Sequence, residues 1–141
     1  MNFLTKALLS GLMVAAMHNA CSQIALVVGA SNETKTMTMD QASSMYLGKS
    51  NTFPGGATAL LLDQPAGSAL RTTFYEKLTG KNEAQVKAGW SRLVFSGKGT
   101  PPKELSNSAD VKKMVSANPN TIGYIEKSAL DSSVRALLIV E

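Results

Sequence analysis

The run Gln23-Ile24-Ala25-Leu26-Val27-Val28-Gly29 constrains this chain more than any other. It is apolar at consecutive positions rather than at alternate ones, and it carries β-branched residues. That pattern fits a short strand buried on both faces, which requires a parallel or mixed sheet with helices on each side. The rest of the chain supplies such helices in alternation with further strands.

Thr38-Met39-Asp40-Gln41 has the capping-box pattern, and Ala42, Met45 and Tyr46 then fall on one helical face. Gly48 is placed to end that helix. Ala57 to Leu62 reads as a second apolar strand ending at Asp63, followed by the turn Gln64-Pro65-Ala66-Gly67. A helix opening near Ser68 carries Leu70, Phe74 and Leu78 as its buried stripe and stops at Gly80. Asn82 to Gln85 looks like another helix start, with Val86, Trp90, Leu93 and Val94 as apolar positions. Residues 96–102 form a loop rich in Gly and Pro. Ser108 is expected to cap a helix bearing Val111, Met114 and Val115, which must end before Pro119. Thr121 to Ile125 and Ala136 to Val140 read as the remaining strands. Trp90, Phe74, Phe95 and Tyr46 are assigned to the core. Strands alternating with helices predict an α/β sandwich, with no internal repeat.

Residues 1–22 read as a signal peptide. Lys6 gives a positive start, and Ala7 to Met17 is apolar apart from Ser10 and Gly11. That run is too short to span a bilayer but suits a signal-peptide core. Ala20-Cys21-Ser22 before Gln23 fits a cleavage site, with Val14-Ala15-Ala16 as a second option. Lipidation of Cys21 is disfavoured, because His18 stands where a lipoprotein signal usually has Leu. The expected organisation is thus a signal peptide over 1–22 and one domain over 23–141, located in the periplasm. Cleavage after Ser22 removes the only Cys and the only His, Cys21 and His18.

The composition bounds the function. The chain is 44% hydrophobic and 17% charged, which reads as globular. Its formal charge of +4 comes with basic residues that are scattered, among them those from Lys49 to Lys113, rather than clustered. That argues against nucleic acid as a partner. A mature domain without His or Cys has no Ser-His or Cys-His pair, so it is read as not an enzyme. No His, Cys, Asp and Glu cluster has metal-ligand spacing, and neither a metal nor a cofactor is expected. Gly97-Lys98-Gly99-Thr100 is no P-loop, because Pro101-Pro102 follows it instead of a helix. As a ligand-facing loop it ranks behind the start of the Ser68 helix.

Three patterns in order carry a resemblance. Met45-Tyr46-Leu47-Gly48-Lys49 is similar to the helix-end element of the phosphate-binding receptors of bacterial ABC importers. Leu60 to Ser68 occupies the place of that family's strand and Gly-Ser turn, and Asn118-Pro119-Asn120-Thr121-Ile122-Gly123-Tyr124-Ile125 resembles its "N-P-x-x-I-G-Y" strand. Trp90 to Gly97 also resembles short exported relatives of these receptors. The resemblance implies a single periplasmic-binding-protein-like lobe with a mixed, mostly parallel sheet flanked by helices. It also implies a role as a solute-binding module for phosphate or another small oxyanion, with a membrane transporter or other envelope protein as partner. The chain departs from the family in two ways. Its length leaves room for one lobe, and the strand ends in Asp63 where the family has Arg. The alternative is therefore a protein-interaction module of the same fold that binds no ligand.

The expected anion-binding residues are Gly67, Ser68, Ala69, Arg71, Asp63, Ser31 and Asn32. Helix N-termini present free N–H groups and partial positive charge. Ser68 and the backbone of Gly67 and Ala69 carry over from the resemblance. Arg71 is a replacement charge inferred from its place in the first turn, and Asp63 could accept a bond from a protonated phosphate oxygen. Ser31 and Asn32 follow the first strand, where α/β sheets often take ligands. The bland alternatives are a helix cap at Gly67-Ser68, a solvated Arg71 and a polar loop at Ser31-Asn32. The targeting segment yields a first prediction. Protein expressed in a bacterial host should be recovered from the periplasm with an intact mass beginning near Gln23. A full-length cytoplasmic species would refute the export reading, and a diacylglycerol mass on Cys21 would replace it with lipidation.

Overall fold

A computed structural model describes residues 23–141, so the expected signal segment lies outside the described residues. Five strands and four helices form the domain: β1 (Ile24–Gly29), α1 (Met39–Tyr46), β2 (Leu60–Asp63), α2 (Ala69–Thr79), α3 (Glu83–Phe95), β3 (Lys103–Glu104), α4 (Ser108–Ala117), β4 (Thr121–Glu126) and β5 (Val134–Val140). The strands make one sheet in the order β3-β2-β4-β1-β5.

The expected mixed α/β sheet between helices is found, and the central strand explains it. Ile24, Leu26 and Val28 of β1 join the core beneath α1 and α2, whereas Ala25 and Val27 join the core beneath α4. Alternate side chains of a strand point to opposite faces, so a strand apolar at every position needs a layer on each. The pairing directions carry a point that burial alone does not encode. β2 runs parallel to β3 and β4, but β1 runs antiparallel to both of its neighbours, β4 and β5. The ends of β1 and β2 that lead into their following loops therefore lie at opposite ends of the sheet.

Local chemistry sets most element boundaries. Thr38 and Gln41 exchange both capping-box bonds, as do Asn82 and Gln85. Ser68 accepts from the Arg71 N–H at 3.3 Å and caps α2, which ends at Gly80 in the left-handed conformation. Two expectations need correction, and one strand was not foreseen. Asn107, not Ser108, caps α4, accepting from the Asp110 N–H at 2.8 Å. The Ser108 hydroxyl is drawn instead to the Glu126 carboxylate at 2.6 Å. The segment 96–102 is a loop as expected, but it leads into β3, which is only two residues long. That is too short for any periodicity to show. Phe95 is not core: it is 96% exposed. It lies nine residues beyond the buried Val86, and at about 100° per residue that is the opposite side of α3.

Close packing explains two glycines. A Cβ on Gly123, in the "I-G-Y" segment of β4, would lie 2.6 Å from Val111 Cγ1 on α4. A Cβ on Gly29 would lie 2.6 Å from the Val115 carbonyl oxygen, a backbone atom that cannot rotate away. Gly29→Ala should therefore push α4 off the sheet and cost about 1–3 kcal/mol, the range for overpacking. Urea denaturation checks this, and an unchanged midpoint would show that the α4–β1 contact is looser than described.

Candidate functional site

β2 ends in a buried carboxylate. Asp63 is 3% exposed and lies where three elements meet. Its Oδ2 accepts from the Tyr75 hydroxyl of α2 at 2.6 Å. Its Oδ1 accepts from the Tyr124 hydroxyl of β4 and from the Gln64 N–H, the latter at 2.9 Å. Burial drives the Asp63 pKa up from its ordinary value, and the bonds from Tyr124 and Tyr75 and the Arg71 charge only partly offset this. Burial, with the neighbouring Asp63 charge, likewise pushes both phenols far above their ordinary range, so they act as donors. The aromatic rings that carry them are locked. Phe74 stacks on Tyr124 with centroids 3.6 Å apart, and Tyr46 packs edge-on to Phe74, Tyr75 and Tyr124.

The start of α2 sits directly beyond Asp63. The structure brings Gly67, Ser68, Ala69 and Arg71 together with Asp63 at this end of the sheet. The Arg71 guanidinium is 3.7 Å from Asp63 Oδ1, 3.7 Å from Glu83 Oε2 and 3.5 Å from Glu104 Oε2. Its Nη1 donates to the Gln64 carbonyl at 3.1 Å, while its Nε is buried without a hydrogen-bond partner. The N–H groups at this turn already face carboxylates. Gly67 donates to Glu83 Oε2 at 3.1 Å, and Ala66 donates to Glu104 Oε1 at 3.0 Å. Glu83 Oε1 also accepts from the Thr72 hydroxyl at 2.5 Å. Both oxygens of Asp63 are engaged by protein donors, so a ligand would have to compete with Tyr75, Tyr124 and Gln64 for them.

Ser31 and Asn32 are not part of this group. They follow β1, whose antiparallel direction carries them to the other end of the sheet. Asn32 is buried; it donates to the Pro119 carbonyl at 2.7 Å and accepts from the Thr34 N–H at 2.8 Å. The two residues line a separate cleft of about 660 Å³ with Phe53, Pro54 and Asn120.

Glu83, Glu104, Tyr75 and Tyr124 are the site residues that sequence reasoning missed. Glu83 arrives because the short link Gly80–Asn82 folds the chain back along α2, and Glu104 because β3 pairs beside Asp63. Neither pairing has a sequence signal of its own. Beside this crevice, Asp63, Arg71, Tyr75, Trp90, Val94 and Pro102 help line an apolar cleft of about 440 Å³. Among the described residues, no group of His, Cys, Asp and Glu could hold a metal ion. No helix among them is long and apolar enough to cross a membrane.

The buried carboxylate yields a pH prediction. Because the folded-state pKa of Asp63 is raised, its contribution favours the fold below the ordinary carboxylate value of 3.8. That contribution is lost as pH rises through the raised value. Asp63→Asn should remove this component, so the stability difference between wild type and variant should shift against wild type from pH 4 to pH 7. Parallel denaturation series at the two pH values measure it. A difference independent of pH would mean that the hydrogen bonds to the carboxylate balance its burial, and a shift in favour of wild type that they outweigh it.

No family model and no curated protein matches this chain. Solved structures do. A protein assigned as a phosphate ABC transporter substrate-binding protein of Clostridium perfringens, solved with bound phosphate, superposes with a TM-score of 0.66 at 25% identity. The match covers 82% of this chain and 45% of that one. An ABC-type phosphate transport receptor of Vibrio cholerae gives 0.64 at 18% identity, covering 81% and 45%. PstS of Borrelia burgdorferi gives 0.59 at 13%, covering 85% and 47%. The chain thus has the fold of a single lobe of the periplasmic-binding-protein type, is similar to phosphate ABC transporter substrate-binding proteins, and spans less than half the length of each.

Proposed function

We propose that this chain is a solute-binding module of the phosphate-receptor kind, exported to the periplasm, that takes phosphate or a similar small oxyanion and performs no catalysis. The observation that carries the reading is the buried Arg71 Nε at the start of α2, a charged donor that makes no hydrogen bond although carboxylate oxygens of Asp63 and Glu83 each stand 3.7 Å from it. Buried polar groups are almost always satisfied, and an oxyanion oxygen is a fitting acceptor for this one. The Gly67 N–H meets the same Glu83 oxygen that faces this Nε, and Ser68 caps the helix at the Arg71 N–H. The carboxylates of Glu83 and Glu104 stand in for ligand oxygens on the N–H groups of Gly67 and Ala66. A ligand enters by exchanging with them, and Glu104, at 52% side-chain exposure, is free to turn into solvent. The partner in transport is a membrane transporter or another envelope protein.

A second reading has its own observation. Phe95, 96% exposed, and Val94 stand beside the apolar cleft next to Arg71. On that reading the fold docks to another protein, and the internal carboxylates close a site that takes no ligand.

Thermal melts with phosphate and sulfate separate the two. A ligand that binds only the folded state raises the melting temperature, by about 2.7 kcal/mol of stability at a hundredfold excess over Kd. Phosphate should raise it in wild type and raise it further in Glu83→Gln/Glu104→Gln, where the competing charges are gone. Ser68→Ala should weaken phosphate by about 1–2 kcal/mol, the scale of a hydrogen bond to a charged group. Flat melts at millimolar anion in wild type and in the double variant would abandon the oxyanion reading for the docking one.

A further inference from the structure

We infer that this domain has a second anion site, in the cleft between the loops of Lys49 and Lys98, suited to a small anion carrying charge at two ends, of the oligophosphate class. The cleft has a volume of about 570 Å³, lies on the α1–α3 side of the β2 edge, and shares the wall of Trp90, Pro101 and Pro102 with the apolar cleft beside Arg71. Lys49 and Lys98 line it together with Ser50, Asn51, Thr58 and Thr100, and no Asp or Glu does. Neither lysine ammonium makes an ion pair or a hydrogen bond with a described residue; among the described lysines only Lys112 and Lys127 do, so what sets Lys49 and Lys98 apart is the cleft without a carboxylate that both line.

The packing shows that this is a built arrangement. The two lysine loops close on the same ring. A Cβ on Gly48 would lie 3.0 Å from Trp90 Cη2 and 2.3 Å from Leu93 Cδ1, and one on Gly99 would lie 3.3 Å from Trp90 Cζ3. Gly48 leaves no room for a Cβ beside Lys49, and at Gly99 a Cβ would crowd Trp90, so small residues next to each lysine let both loops approach the ring. Trp90 is itself fixed, because its indole N–H donates to the Tyr46 carbonyl at 2.9 Å. The backbones are pinned as well: Lys49 N–H donates to Ser44 O and Lys98 N–H to Leu93 O, each at 2.8 Å. The anchored backbones leave the two side chains free to reach into one cleft.

The electrostatics select the ligand. At the α2 start one Arg71 faces Asp63, Glu83 and Glu104. In the lysine cleft two cations face hydroxyls and an amide with no carboxylate among the lining residues, so an added anion meets attraction without internal competition. Ammonium groups are compact point charges on flexible stems and can gather separate anionic ends. Pyrophosphate offers an anionic end to each of the two flexible cations, whereas orthophosphate presents a single centre.

The inference stands apart from the α2 crevice, and amide-resolved NMR titration distinguishes them. Pyrophosphate added to wild type should shift the amides of 48–51 and 97–100. Lys49→Ala/Lys98→Ala should weaken pyrophosphate at least about tenfold, the scale of a lost bond to a charged group, while Lys81→Ala/Lys113→Ala should not. Shifts confined to 67–70 would overturn this inference and leave the proposed function standing. Shifts confined to the lysine loops would support the inference and count against the α2 site. Equal losses in the two lysine pairs would reduce the effect to general charge attraction, and an unshifted spectrum would overturn both sites.

Discussion

A carboxylate almost removed from water governs this domain. Asp63 survives burial only because donors from three elements converge on it: Tyr124 from β4, Tyr75 from α2 and the N–H of Gln64 just past β2. Each bond fixes its donor as much as its acceptor. Tyr124 and Tyr75 are held in the aromatic group with Phe74 and Tyr46, and Tyr46 donates to the Leu62 carbonyl at 2.9 Å, one residue before Asp63. Gln64 extends the network by donating to the Tyr124 carbonyl at 2.9 Å and to the Ser108 hydroxyl at 3.1 Å. Such a network adds little net stability over an apolar substitute, but it penalises every alternative packing that leaves a member unpaired. The end of β2 and the start of α2 are therefore set in place by the core itself.

The same carboxylate shapes the surface above it. Arg71 is drawn towards Asp63 and also faces Glu83 and Glu104, so one positive charge answers three negative ones. In the receptors this chain resembles, the corresponding strand ends in Arg, which adds positive charge to the crevice. With Asp63 there instead, the charge that balances it must come from the helix, and Arg71 is the side chain within reach. The half-buried Glu83 and the exposed Glu104 then settle on the N–H groups of Gly67 and Ala66.

What the sequence conveys and what it hides divide along physical lines. Burial period, capping chemistry and breaker residues are local, so β1, the two capping boxes and the stop at Gly80 could be read directly. The grouping of Gly67, Ser68, Ala69, Arg71 and Asp63 was legible for the same reason, since nine consecutive positions must stay close. Strand direction is not local. Nothing in Ile24 to Gly29 tells whether its neighbours run with it or against it, and that choice sends Ser31 and Asn32 to the far end of the sheet. Glu83 and Glu104 were invisible for a related reason. Their roles depend on how a three-residue link folds back and on a two-residue strand, each too short to leave a pattern. Phe95 shows the converse failure, in which an aromatic residue was assigned to the core by type although its helical position faces outward.

The internal carboxylates also bear on selectivity. On the proposed exchange, an incoming anion must displace groups that are tethered and so present at high effective concentration. A free monovalent carboxylate offers Gly67, Ala66 and Arg71 nothing that Glu83 and Glu104 do not already supply, so it has no advantage to set against that tether. A doubly charged oxyanion does. It brings more charge to Arg71 and more acceptor oxygens than any single carboxylate, including one for the unpartnered Arg71 Nε. Once displaced, the two glutamates regain water, and Glu104 loses little because it is already half exposed. The departure from the receptor pattern at Asp63, which first reads as damage to an anion site, thus becomes a threshold. On the proposed exchange, the crevice would stay closed to weak anions and open only to one whose charge and geometry exceed those of the protein's own side chains.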